Sequence, residues 1–261
     1  MAVTRTIWKN WFTENNIPSW PCPSCNKGTL IGDKKDIKSY EAISSQKLHR
    51  EEDWDPEQIW GQFTGNLKCD VCEETVVIAG KMAVEAEHVY DEQYEGYNFE
   101  YIEILQPNIF VPTLNIFELH KDVPEEVCNA IKESFKLFWI DSSSCANKIR
   151  TVVELIMDEQ KVPKTYKDRG KRKGYSLHKR IELFKAAKSE EADLLMAIKW
   201  IGNSGSHVND ELKKDDTLDA YEILDLVTTR LYEKDSHRIK ALSKTINKRK
   251  KPIRTKRAGK K

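Results

Sequence analysis

The sequence predicts an α+β, multidomain chain: a small β module built on four cysteines, followed by an all-α helical bundle. Three observations carry this reading. Two Cys-x-x-Cys pairs, Cys22/Cys25 and Cys69/Cys72, fall in the first third of the chain. Apolar spacing shifts from Asp122 onward to a period near 3.6, the helical repeat. The 261 residues suit one or two domains with a real core.

Residues 1–19 open with Ile7, Trp8, Trp11 and Phe12 on one helical face, which predicts a short amphipathic helix over 4–14. Residues 20–83 hold the cysteine pairs. A two-residue spacer lets both thiolates of a pair face one ion while backbone N–H groups stabilise the sulfurs. Two such pairs complete a tetrahedral four-thiolate site, so Cys22, Cys25, Cys69 and Cys72 are the expected ligands of a structural zinc. A redox motif leaves the second pair unexplained, and the absence of secretory features argues against disulfides. All four coordination positions are taken, so this zinc is expected to be structural, not catalytic. The β-branched run Thr75-Val76-Val77-Ile78 leaves the second pair as a strand, and the module reads as a zinc ribbon. Cys128 and Cys145 lie in helical patterns and read as inert core thiols.

Residues 84–121 interleave Tyr90, Tyr94, Tyr97, Phe99 and Tyr101 with acids such as Glu85, Glu87, Glu100 and Glu103. The negative field repels phosphate, so the aromatics are expected to anchor an acidic connector or edge strand rather than to stack on bases. Pro107 and Pro112 mark an extended lead into the next domain.

Residues 122–246 carry five amphipathic patterns. Asp122 and Glu125 resemble a capping box with Pro124 in the first turn. Val123, Val127, Ile131, Phe135 and Phe138 then make one stripe. Ala146, Ile149, Val153 and Ile156 make a second; Leu177, Ile181 and Phe184 a third. Leu194, Ile198 and Ile201 form the fourth, broken by the Gly/Asn/Ser cluster after Ile201. The fifth starts at about Asp216 and can be followed to Ile246. Mostly short links between them predict a bundle.

Charge is very uneven. The chain's net charge is +1, yet residues 161–180 hold nine basic residues against one acid, and the tail 247–261 holds nine against none. The first segment, with Lys167, Arg169, Lys171, Arg172 and Lys173 between two tyrosines, reads as a flexible cationic loop. In the second, Lys248, Arg249, Lys250 and Lys251 open a basic tail. An acidic body with two such segments is suited to RNA or DNA, held by salt-sensitive phosphate contacts.

The stretch from Val123 to Tyr232 resembles the family DUF4145, a branch of the HEPN-like helical superfamily. The likeness rests on Ala146, Arg150 and Glu154 in the second helix and on the corner Gly202-Asn203-Ser204-Gly205-Ser206-His207. Members often carry an N-terminal zinc ribbon, which the cysteine pairs echo. The resemblance implies an HEPN-like bundle over 122–246. It also implies a metal-independent endoribonuclease that works as a homodimer, in a toxin or anti-phage role, alone or with a partner defence protein. His207 would be acid/base, Asn203 the orienter, and Lys199 or Arg150 the phosphate clamp. This sequence departs from the superfamily's Arg-x4–6-His pattern, since the nearest basic residue before His207 is Lys199, seven residues intervening. The same fold also serves as a non-catalytic nucleic-acid-binding or dimerising adaptor, and that function stands beside the first. No run approaches the ~20 apolar residues of a membrane span. The first residues lack the apolar core of a signal peptide, so a cytoplasmic protein without membrane contact is expected.

Overall fold

The computed structural model describes residues 5–9, 11–91, 96–204 and 212–250. Its N-terminal half is a five-stranded antiparallel sheet in the order β1-β3-β4-β5, with β2 also paired to β3. The strands are β1 (Leu30–Ile31), β2 (Ile37–Glu41), β3 (Trp60–Cys69), β4 (Thr75–Asp91) and β5 (Gly96–Val111). Two short helices, α1 (Thr6–Lys9) and α2 (Ile43–Leu48), flank it. Residues in β3 alternate strictly between exposed and buried, so Phe63, Leu67 and Cys69 face the core while their neighbours face solvent.

This corrects the expected fold in two places. The N-terminal half is not a small ribbon, because β4 and β5 run 17 and 16 residues and pair from Val77↔Val111 out to Asp91↔Gly96. The expected connector over residues 84–121 is not one: its aromatic–acid alternation is the period-2 signature of this long ribbon, which ends at Val111. Nor is the C-terminal half all-α. Between its helices, β6 (Thr165–Asp168) and β7 (Lys171–Gly174) form a hairpin. Arg169 and Gly170 both take positive φ, 47° and 79°. That is the conformation a two-residue hairpin turn demands, so the cationic segment is a β arm.

The helices are α3 (Glu125–Phe138), α4 (Ser142–Glu159), α5 (Leu177–Lys185), α6 (Ser189–Ser204), α7 (Lys214–Tyr232) and α8 (Lys234–Arg249). Asp141 caps α4 by accepting from the Ser144 amide at 2.6 Å, and Ser176 caps α5 through the Lys179 amide. Helix α3 begins at Glu125 with Pro124 as its N-cap, so the box expected from Asp122 does not form. Helix α6 continues through Gly202 and Asn203 to Ser204 rather than stopping at Ile201. The predicted fifth helix is two, α7 and α8, separated at Glu233, whose ψ of 98° is extended. The expected N-terminal helix lasts one turn. Phe12 instead exchanges both backbone hydrogen bonds with Leu105 on the edge of β5, at 3.0 and 2.8 Å.

Sheet and helices share one hydrophobic core. A run of aromatic rings crosses the junction. Trp20 lies 4.9 Å from Phe110 and 6.3 Å from Trp139, and Phe110 lies 4.6 Å from Trp139. Phe138 links Trp139 to Tyr221 in α7. Within the helices the Tyr221 hydroxyl donates to Ser134 Oγ at 3.0 Å and lies 3.1 Å from Cys145 Sγ. Burial pushes the Cys145 thiol up to about 12, so it stays protonated. Helix α8 leaves this core, with Ile239, Leu242 and Ile246 exposed along it. Among the described residues no helix is long and apolar enough to cross a membrane.

Candidate metal centre and the corner between α4 and α6

The four cysteines come together from two tight turns. Cys22 and Cys25 sit in the turn before β1, and Cys69 and Cys72 in the turn joining β3 to β4. Each turn closes the same way: Asn26 donates its amide to the Cys22 carbonyl, and Glu73 donates to the Cys69 carbonyl. Asn26 and Glu73 each take a positive φ, 52° and 59°. The turns are then stitched together, with Thr29 N–H donating to Asp70 Oδ1 at 2.7 Å and Asp70 N–H to the Thr29 carbonyl at 3.1 Å. Gly28 is required by close approach, since a Cβ there would stand 2.4 Å from Cys69 Sγ.

All four Sγ atoms lie within 4.8 Å of one another. Cys22 and Cys72 are 3.6 Å apart, Cys25 and Cys69 3.7 Å. Four sulfurs at the Zn–S distance of about 2.3 Å in a tetrahedron are separated by about 3.8 Å, so the donor set fits such an ion. Backbone amides point at the sulfurs: Gly28 donates to Cys25, and Val71 and Cys72 donate to Cys69, each at 3.4 Å. Amides of Lys27 and Gly28 bring the Cys25 thiol down to about 6, which favours the thiolate form that a metal ion takes. The cluster can hold a metal ion. Substituting Gly28→Ala should force Cys69 Sγ out of the cluster; we expect metal content below half of wild type by elemental analysis.

The second candidate site lies where α6 crosses α4. Gly202 permits the crossing, because a Cβ there would stand 2.7 Å from Arg150 Cβ and 3.1 Å from the Ala146 carbonyl. Arg150 and Lys199, the alternative phosphate clamps, and Asn203, the expected orienter, are thereby brought to one corner. Lys199 is only 7% exposed. With the Asn203 amide oriented to satisfy both of its groups, Oδ1 accepts from Lys199 Nζ at 2.9 Å and Nδ2 donates to the Lys199 carbonyl at 3.3 Å. Burial, and then the charge of Arg150, lower the Lys199 pKa. Arg150 pairs loosely with Glu154 at 3.5 Å, and its Nε is buried without a hydrogen-bond partner. Two cations thus meet against one loosely paired carboxylate, Glu154, and the unpartnered Nε of Arg150 leaves room for an anion. His207, the expected acid/base, lies outside the described residues.

Two residues at this corner went unread in the sequence. Trp200 follows Lys199, whose Nζ lies 3.2 Å from the indole centroid. His178, from α5, meets the same indole edge-on at 5.8 Å. The adjacency of Lys199 and Trp200 was the available signal, but helical spacing alone did not say that the tryptophan faces out. The hairpin residues Lys167, Arg169, Lys171, Arg172 and Lys173 lie on the exposed β arm, where Tyr166 stacks on Tyr175 at 4.6 Å. Lys248 and Arg249 end α8, Lys250 caps it in the left-handed region, and Lys251 lies outside the described residues. Two open clefts, of about 660 and 690 Å³, lie at the seam between sheet and helices, and neither is lined by Arg150, Lys199 or Asn203.

Comparison with known families divides the chain at that seam. Residues 132–251 match the family described as Domain of unknown function (DUF4145). A DUF4145 domain is present. It begins inside α3 and carries α4 to α8, the β arm and the corner between α4 and α6. Residues 10–110 match a second family, Domain of unknown function (DUF8608), which takes in all four cysteines and nearly the whole sheet. The DUF4145 domain thus follows a sheet domain with a family of its own. No curated protein and no solved structure matches the chain.

Proposed function

We propose that the chain is an HEPN-like, RNA-acting protein whose DUF4145 domain grips the RNA backbone at the corner of Arg150, Lys199 and Asn203 and cleaves it with His207. The observation that carries this reading is the convergence of two cations, one from α4 and one from α6, beside a side-chain amide, with Glu154 as one loosely held carboxylate. A guanidinium, an ammonium and an amide are the groups that stabilise a pentacoordinate phosphate. His207 follows Asn203 by four residues. An imidazole with pKa near 6.5 can take the proton of a 2′-hydroxyl or return one to the leaving oxygen. Attack of the 2′-oxygen on phosphorus with loss of the 5′-oxygen leaves a 2′,3′-cyclic phosphate and a 5′-hydroxyl. The basic β arm and the end of α8 add phosphate contacts that steer the strand. In the sheet domain we assign zinc to the four thiolates. Cys22, Cys25, Cys69 and Cys72 would fill its coordination, so its role is to pin the two turns together.

The test uses purified protein and a labelled RNA without added metal. Wild type is expected to cleave, and His207→Ala to lose cleavage by at least about 100-fold while still binding. Equal cleavage by the two proteins would remove His207 from the chemistry. A second reading, a non-catalytic RNA-binding adaptor, is favoured by the engagement of Lys199 with Asn203 and Trp200, which ties its ammonium into the corner. It expects binding, lost in Arg150→Ala, with no cleavage by either protein.

A further inference from the structure

The corner presents a flat aromatic surface as well as charge. Trp200 is 54% exposed although tryptophan gains more from burial than almost any side chain. It is also held in place. The Lys199 ammonium sits 3.2 Å from the ring centroid, and His178 packs edge-on at 5.8 Å. His178 is itself tethered, its Nε2 lying 3.4 Å from Glu182 in the next turn of α5. Its Nδ1 is buried without a hydrogen-bond partner. The indole is therefore fixed from two helices and a neighbouring cation while more than half of the residue stays open to solvent. An exposed, pre-positioned ring beside a phosphate-binding pair is how proteins seat a nucleobase without reading its identity.

We propose that Trp200 is a stacking platform for one unpaired base, which makes the ligand of this corner single-stranded nucleic acid rather than duplex. The proposal rests on the reading that Arg150 and Lys199 hold phosphate. The geometry explains the selection. A base inside a duplex already stacks on both faces and cannot reach an indole seated on a helix surface, whereas an unpaired base next to the bound phosphate can turn onto it. The cation over one face of the ring fixes the indole plane, so the base stacks on the opposite face. No base-specific hydrogen bond is required, so the preference is for strandedness, not sequence.

The experiment measures binding of the full-length protein, by fluorescence anisotropy, to four probes of equal length: a single-stranded oligoadenylate RNA, an RNA duplex, an abasic oligonucleotide and polyphosphate. Wild type should bind the single strand about tenfold more tightly than the abasic oligonucleotide. Trp200→Ala should erase that difference while leaving affinity for the abasic oligonucleotide and polyphosphate within about twofold, and Trp200→Phe should restore most of it. Arg150→Ala should weaken all four probes. If Trp200→Ala binds the single strand as wild type does, or if the duplex binds as tightly as the single strand, the platform is overturned and the phosphate corner stands. If Arg150→Ala leaves every affinity unchanged, the phosphate corner itself fails, whatever Trp200 does. Circular dichroism of each variant separates loss of binding from loss of fold.

Discussion

Emptying the four-cysteine cluster of the metal ion it can hold should cost this protein more than any single surface change. On treatment with a strong chelator, or in Cys69→Ser, we expect the melting temperature to fall by on the order of 10 °C, equivalent to several kcal/mol. The reason lies in where the site sits. Cys69 is the last residue of β3, and the turn it begins delivers the chain into β4. Cys22 and Cys69 are both buried. Without a cation, four sulfurs within 4.8 Å of one another must share one hollow with no positive charge to balance their ionised forms. A bound ion would remove that conflict and tie the Cys22 turn to the β3–β4 turn. Differential scanning calorimetry with and without chelator, paired with elemental analysis, reads the effect. An unchanged transition in a protein shown to be metal-free would mean that the hydrogen bonds between Thr29 and Asp70 hold the turns unaided.

The second large effect is expected at Trp20. Its side chain is 1% exposed and packs against Phe12, Phe110 and Trp139, with its indole N–H donating to the Ile7 carbonyl at 2.7 Å. Trp20→Ala removes the ring that faces both the sheet and α3, so we expect about 3–5 kcal/mol of destabilisation. Because the rings continue through Trp139 and Phe138 to Tyr221, the loss should reach the helices too. Chemical denaturation followed by circular dichroism at helical and strand wavelengths should give coincident transitions, both shifted. Two separated transitions in wild type would show instead that sheet and helices fold independently.

What the sequence made legible follows from how local each signal is. The four cysteines were readable because a four-thiol cluster able to hold a metal imposes its spacing directly on the chain. Helices α3 to α7 were readable because one buried stripe every 3.6 residues is a local pattern. The long ribbon was not. Its outer part lies beyond the core, so residues 85–88 and 99–103 carry acids and aromatics instead of an apolar face, and strand period passed for composition. The β arm escaped for a related reason: lysines and arginines on both faces hide alternation, and only the positive φ of Arg169 and Gly170 betrays the turn. At the corner, Arg150 and Lys199 were named from sequence, but their meeting depends on Gly202, whose lack of a side chain sets the distance between α4 and α6. Packing of that kind is a property of pairs of helices and has no signature in either alone.

Helix α8 bears on all of this as a strut. Its 16 residues, at 1.5 Å each, span about 24 Å beyond the break at Glu233. Lys248 and Arg249 are therefore carried outward by a rigid rod and not by the statistics of a coil. Their reach is set in whole residues: each one inserted advances the cationic end by about 1.5 Å and swings it by about 100°. The spacing between the break at Glu233 and the pair Lys248 and Arg249 is thus written into the length of one helix, residue by residue.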